Sequence, residues 1–261
     1  MKIIKVEDVI IRKRVIVMDK SSKELRRKVL EVYEYAKEIT QQTGYLKNIE
    51  HLKDLMEKKP YKTINSDVFL REYLWVVFTC GFKADTVKKY WTQIKSMCCD
   101  FDISKTREFS FDELLEMSPI KNKKKIRAVK KSCEIIDDSF INEVHNIEDV
   151  EAAKSLLKKL PFIGEVTVYH IMRNIGIDCF KPDRHIVNIK EELGISGQNL
   201  FNIILSECEE EFIGVVDHIL WRAAATIHSL EPNMSLVSMA LGENKIDEFP
   251  KKINRNSKFL F

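Results

Sequence analysis

Residues 160–189, LPFIGEVTVYHIMRNIGIDCFKPDRHIVNI, decide how this chain is read. Helix-forming sequence ends at Leu160 and Pro161, Gly164 closes a short turn, and a second helix starts at Glu165. Backbone amides in such a turn, and in the first turn of the second helix, lack intrahelical partners. With the positive end of the helix dipole they form a neutral cradle for one phosphate. Taken alone the run is an ordinary pair of helices joined by a tight turn. It is followed by Lys181-Pro182-Asp183-Arg184-His185 and an apolar helix, with Asp183 in the position of an N-cap. A carboxylate at a helix N-terminus is held rigid, kept ionised by the dipole and aimed into whatever cleft lies before the helix.

Working outward, the apolar spacing predicts an all-α fold. Leu25, Val29, Val32, Tyr33, Ala36 and Ile39 mark a long amphipathic helix behind Ser22, stopped at Gly44. Residues 67–80 are apolar nearly all round, as in a helix buried at the centre of a bundle, and Gly81 breaks it. Further helices are expected over residues 85–99, 111–117, 123–136, 147–160, 165–175, 184–193, 199–209 and 212–230. Residues 2–18 alternate β-branched and charged side chains and predict a short N-terminal β element. The tail after Gly242 is polar and basic and is expected to be loosely held. Two lobes are expected: residues 62–176, with the hairpin at 153–176, and a discontinuous lobe of residues 1–61 plus 177–261. A cleft between them is the default site.

Composition narrows the function classes. Eight glycines and six prolines in 261 residues exclude collagenous and linker-rich chains. With 44% hydrophobic and 32% charged residues the chain is too apolar for disorder, and no run of about 18 uncharged apolar residues spans a bilayer. The charged N-terminus lacks the apolar core of a signal peptide, so a soluble cytoplasmic protein without a membrane partner is expected. The six cysteines show no CxxC spacing, so they read as reduced, mostly buried thiols rather than metal ligands. The net charge of +3 identifies no partner, but seven of the eleven residues from Lys121 to Lys131 are basic and none is acidic.

These residues resemble the helix-hairpin-helix DNA glycosylases, the superfamily of endonuclease III. The family pattern L-P-G-[IV]-G-x-x-T-A, followed after a helix by x-[VP]-D-x-[HN], is matched at Leu160, Pro161, Ile163, Gly164, Thr167, Pro182, Asp183 and His185. Residues 76–87 (VVFTCGFKADTV) resemble the family's helix and loop that enter DNA. Residues 122–133 (NKKKIRAVKKSC) resemble its N-x-K-A-x-x-I helix, and residues 218–225 (HILWRAAA) its closing helix.

The resemblance implies hydrolysis of the N-glycosidic bond of a damaged, mismatched or modified base flipped out of duplex DNA. It implies Asp183 as the carboxylate that stabilises positive charge on the sugar and positions water. The hairpin residues Phe162, Gly164, Val166 and Thr167 are then expected to hold DNA, with Lys123, Lys124, Lys125 and Arg127 on phosphates. Phe82 is the candidate for filling the gap left by the extruded base, and Trp75, Trp221 and His185 are candidates around the pocket. Phe162 replaces the family's first hairpin glycine, at a backbone position that calls for φ > 0. Val166 stands where strand-cleaving members carry a lysine amine, which points to the monofunctional branch with an abasic site as product. Lys181 is the alternative amine of a bifunctional enzyme, and a non-catalytic DNA-binding protein is the reading from another class. The resemblance implies a monomer on double-stranded DNA, with no metal, no organic cofactor and no iron-sulfur cluster, and leaves room for a monovalent cation at the hairpin.

Overall fold

Helix α1 (Lys20–Gln42) buries one stripe, Val29, Val32, Tyr33, Ala36 and Ile39, at the three- and four-residue spacing of a single helical face. It stops where Gly44 takes φ +78°, a conformation that suits a residue without a Cβ. In the structure, a computed structural model describing residues 20–82 and 84–242, every extended element is a helix. The expected β element at residues 2–18 and the tail after Gly242 lie outside the described residues.

α2 (Leu46–Lys58) ends on Lys59 in the left-handed region, and Pro60 prevents its continuation. α3 (Ser66–Thr79), capped by Asn65, is buried almost all round: Phe69, Leu70, Tyr73, Leu74, Val76, Val77 and Phe78 are all inaccessible. Phe69 meets Phe140 edge-on at 5.4 Å between ring centres. Truncating such a ring to alanine costs about 3–5 kcal/mol. α4 (Ala84–Met97), α5 (Ile103–Glu108), α6 (Phe111–Met117), α7 (Lys123–Ile135), α8 (Asp138–His145), α9 (Val150–Leu157) and α10 (Thr167–Asn174) complete the layers around α3. α11 (Arg184–Leu193), α12 (Gly197–Glu207), α13 (Ile213–Leu230) and α14 (Leu236–Leu241) follow.

The buried side chains form two clusters. One runs from Ile64 to Cys179; the other joins Val29 through Met56 to Ile186 through Ala240. α1 packs on α12, α13 and α14, so the two ends of the described chain share one core. At Gly176 the chain packs against the end of α2: a Cβ there would lie 2.5 Å from Pro60 Cδ and 2.8 Å from Leu55 O, and φ is +81°. Only glycine fits there.

Some helix boundaries, and some whole helices, differ from expectation. α9 is shorter at both ends than residues 147–160, because Asp149 caps it by accepting from the Ala152 amide and the chain turns at Lys158. α10 begins two residues later than expected, after Val166. α2 is absent from the periodicity reading, as are α5, α8 and α14, short helices started by Asp102, Asp137 and Ser235. No described helix is long and apolar enough to cross a membrane.

Candidate active site

A cavity of about 340 Å³ opens where the two clusters meet. α3 and the loop after it contribute Trp75, Thr79 and Phe82, and α10 contributes Val166, Thr167, His170, Arg173 and Asn174 at its entry and along one face. Lys181 and Asp183 come from the connection to α11, and Asp217, His218 and Trp221 from α13. Sequence-predicted Asp183, Phe82, Trp75, Trp221, Val166 and Thr167 therefore line one space.

Asp183 divides its two oxygens between two tasks. Oδ1 accepts the amides of His185 at 3.0 Å and Ile186 at 3.3 Å, capping α11. Oδ2 lies 3.8 Å from the Lys181 ammonium, with the Asp183 side chain 13% exposed and that of Lys181 16% exposed. The cap fixes the carboxylate, and the remaining oxygen faces a basic partner at the cavity wall. Lys181 Nζ is also 3.0 Å from His170 Nε2. Burial lowers the pKa of Lys181 from its ordinary value, Asp183 opposes this, and Arg173 adds to it. His170 keeps solvent-accessible surface along the cavity. The surrounding protein, with Lys181 and Arg173, holds its imidazole below the usual range and favours the neutral ring.

Behind these groups Arg173 of α10 pairs with Asp217 of α13, both buried. Burial pushes the Asp217 carboxyl upward while Arg173 draws it down. Upstream of Lys181, Asp178 accepts the amides of Ile213 at 3.1 Å and Gly214 at 2.7 Å at the start of α13. Lys181 and Asp183 thus follow a segment tied at Asp178 to the start of α13.

The α9–α10 connection is held internally. Phe162 has φ +67°, as its place in the glycine position implied. Tyr73 donates to Pro161 O at 2.8 Å, Thr167 Oγ1 donates to Phe162 O at 2.9 Å, and the Gly164 amide donates to Thr167 Oγ1 at 2.8 Å. The Gly164 amide is therefore taken up within the turn, which corrects its expected role as a phosphate donor. Val166 is 57% exposed and Phe82 40% exposed, so two apolar side chains stand in the open at the cavity edge.

Lys125 does not reach outward to phosphate. It is buried, and its ammonium donates to the carbonyls of Val77, Phe78 at 3.2 Å and Cys80 at 2.6 Å, which end α3 without intrahelical partners. Lys121 and Lys130 also donate to backbone carbonyls, of Leu115 and Arg107. Lys123, Lys124 and Arg127 remain exposed on α7. His185 is not part of the cavity wall: it lies half-buried on the first turn of α11, its ring 6.0 Å from that of His228.

Arg173, Asp217 and His170 are the residues sequence reasoning missed. His170, Arg173 and Asn174 are polar residues at one-turn spacing on a helix whose positions 168, 171 and 172 are buried and apolar. Asp217 interrupts the apolar face of α13 in the same way. Among the described residues no group of three His, Cys, Asp or Glu side chains is arranged to hold a metal ion.

No protein-family model, curated protein or solved structure matches this chain. The resemblance to the glycosylases thus rests on the motif residues and on what surrounds them.

Proposed function

We propose that this chain is a DNA glycosylase, which extrudes a base from duplex DNA into the cavity and hydrolyses its N-glycosidic bond. The observation that carries the reading is Asp183: one carboxylate oxygen fixed on the amides of α11, the other directed at the Lys181 ammonium in a cavity between two lobes. Breaking an N-glycosidic bond builds positive charge on the sugar, and a fixed, partly desolvated carboxylate stabilises it without reorganising. Asp183 also accepts a proton from the water that attacks C1′. A volume of about 340 Å³ is at the lower end of small-ligand sites, roughly 300–1,000 Å³, which suits a single base.

The remaining parts support the same reading. α9, its tight connection and α10 correspond to a helix-hairpin-helix. The first intrahelical bond of α10 runs from the Val168 amide to Gly164 O, so the amides of Glu165, Val166 and Thr167 precede the bonded ladder and are available to a phosphate. Exposed Lys123, Lys124 and Arg127 add sequence-independent affinity for duplex DNA. Phe82 at the cavity edge is placed to enter the stack where the base has left. A non-catalytic DNA-binding protein needs the hairpin and the basic helix, but it has no use for a carboxylate capped on one side and open to a cavity on the other.

The test is release of free base from duplexes that each carry one altered base. Wild-type protein is expected to release at least one. Asp183→Asn, which keeps a good N-cap, is expected to bind the same duplex and lower release by about 100-fold or more. Equal release by both proteins removes Asp183 from the chemistry.

A further inference from the structure

Asp183 and water serve the sugar and leave the departing base without a partner. When the C1′–N bond breaks, its electron pair stays on the base nitrogen, and a neutral base leaves as an anion unless a proton reaches it. One ring on the cavity wall is arranged to deliver that proton. His170 stays exposed on the cavity along α10, and its Nε2 lies 3.0 Å from Lys181 Nζ. Beside the Asp183 carboxylate, 3.8 Å away, Lys181 is an ammonium, which can only donate. Nε2 therefore accepts, the ring is neutral, and its hydrogen sits on Nδ1, which has no partner among the described residues. The surrounding protein and the Lys181 and Arg173 charges favour that neutral form as well. A cation donating to one nitrogen makes the hydrogen on the other a stronger acid.

We propose that His170 protonates the departing base through Nδ1 while its Nε2 takes a replacement proton from Lys181. The proposal rests on the glycosylase reading and supplies the acid that this reaction lacks. As the C1′–N bond breaks, the Nδ1 hydrogen passes to the base, which leaves neutral. Lys181 gives its proton to Nε2 in the same event, so Asp183 loses its cationic partner just as the sugar becomes positive, and its charge then acts on C1′ unopposed. Water adds to C1′ and its proton goes to Asp183, which returns it to the Lys181 amine 3.8 Å away. The exposed ring exchanges its Nε2 hydrogen for one on Nδ1 through solvent, which restores the starting tautomer. One water is consumed: its hydroxyl stays on the sugar, and its other hydrogen replaces the one carried off by the base. His170 touches the base; Lys181 acts only through it.

The experiment measures single-turnover base release across the duplexes that each carry one altered base. On a duplex that the wild type acts on, His170→Ala is expected to bind as the wild type does and to lower release by about 100-fold, the usual worth of a general acid. Imidazole added to the buffer is expected to restore most of that loss. N-methylimidazole, which in its neutral form has no N–H to give, is expected to restore none. Lys181→Arg keeps the charge but holds its proton, so it is expected to be as slow as Lys181→Met. A His170→Ala protein that works at the wild-type rate, a loss that imidazole does not restore, or a fully active Lys181→Arg protein overturns the proposal and leaves excision by Asp183 standing. A wild type that releases no base from any altered duplex defeats the glycosylase reading itself, and the proton relay with it.

Discussion

The ammonium of Lys125 lies 5.1 Å from the centre of the Phe82 ring. The same ammonium lies 5.3 Å from the ring of Phe162 and closes the carbonyl end of α3. One buried charge therefore joins the loop that carries the wedge candidate to the turn that carries the strained hairpin residue. Burial lowers the pKa of Lys125, which shows what its desolvation costs, and three carbonyl oxygens offset that cost.

Lys125→Met keeps the stem and removes the donor, leaving those carbonyls unsatisfied. The expected loss of stability is about 1–3 kcal/mol, read as a lower denaturant midpoint. The salt dependence of DNA binding is expected to be unchanged, since this charge does not face solvent. A flattened salt slope with unaltered stability would return Lys125 to the DNA surface.

Lys123, Lys124 and Arg127 give the opposite pair of outcomes. All three are exposed on α7, and replacing them with glutamine is expected to change stability by less than about 0.5 kcal/mol each. If each neutralises one phosphate, the slope of log K against log salt falls by roughly two to three units, with similar losses on all duplex sequences. Fluorescence anisotropy across a salt series measures both quantities.

Phe162 separates strain from packing. Its φ of +67° costs a side-chain-bearing residue about 1–2 kcal/mol, but its ring packs on the larger core and on Lys125. Phe162→Ala discards the ring and keeps the strain; Phe162→Gly discards both. The glycine protein is expected to be about 1 kcal/mol more stable than the alanine protein, although glycine is ordinarily the costlier replacement. Chemical denaturation of the two proteins side by side decides this, and an alanine protein as stable as the glycine one would mean the backbone there is relaxed.

What could be read in the sequence follows the reach of each signal. Asp183 as a cap was legible because an aspartate before an apolar helix has one local explanation, and the bonds to His185 and Ile186 are local too. α5 and α14 escaped because a helix of six residues makes fewer than two turns and cannot display a period. Lys125 carried a contradictory signal. Its spacing from Val129 and Ser132 puts it on the buried face of α7, but its charge and its basic neighbours suggested solvent. The Arg173–Asp217 pair joins positions 44 apart, and nothing local in either helix announces a partner at that distance. Lys181 came inward for the same reason: its neighbours His170, Arg173 and Asp217 belong to other elements.

The placement of Lys181 also fixes the sign of a pH effect. Burial lowers its pKa first, Asp183 raises it, Arg173 lowers it further, Asp217 raises it, and His170 faces it as a neutral ring. The titration of Lys181, followed by NMR of its ε-methylene carbon, is therefore expected to have its midpoint below the ordinary lysine value of 10.5. Asp183→Asn removes the largest charge that favours the ammonium, so its midpoint is expected to move to still lower pH. A wild-type midpoint at or above 10.5, or an Asp183→Asn midpoint displaced to higher pH, would show that burial and this carboxylate do not govern the amine.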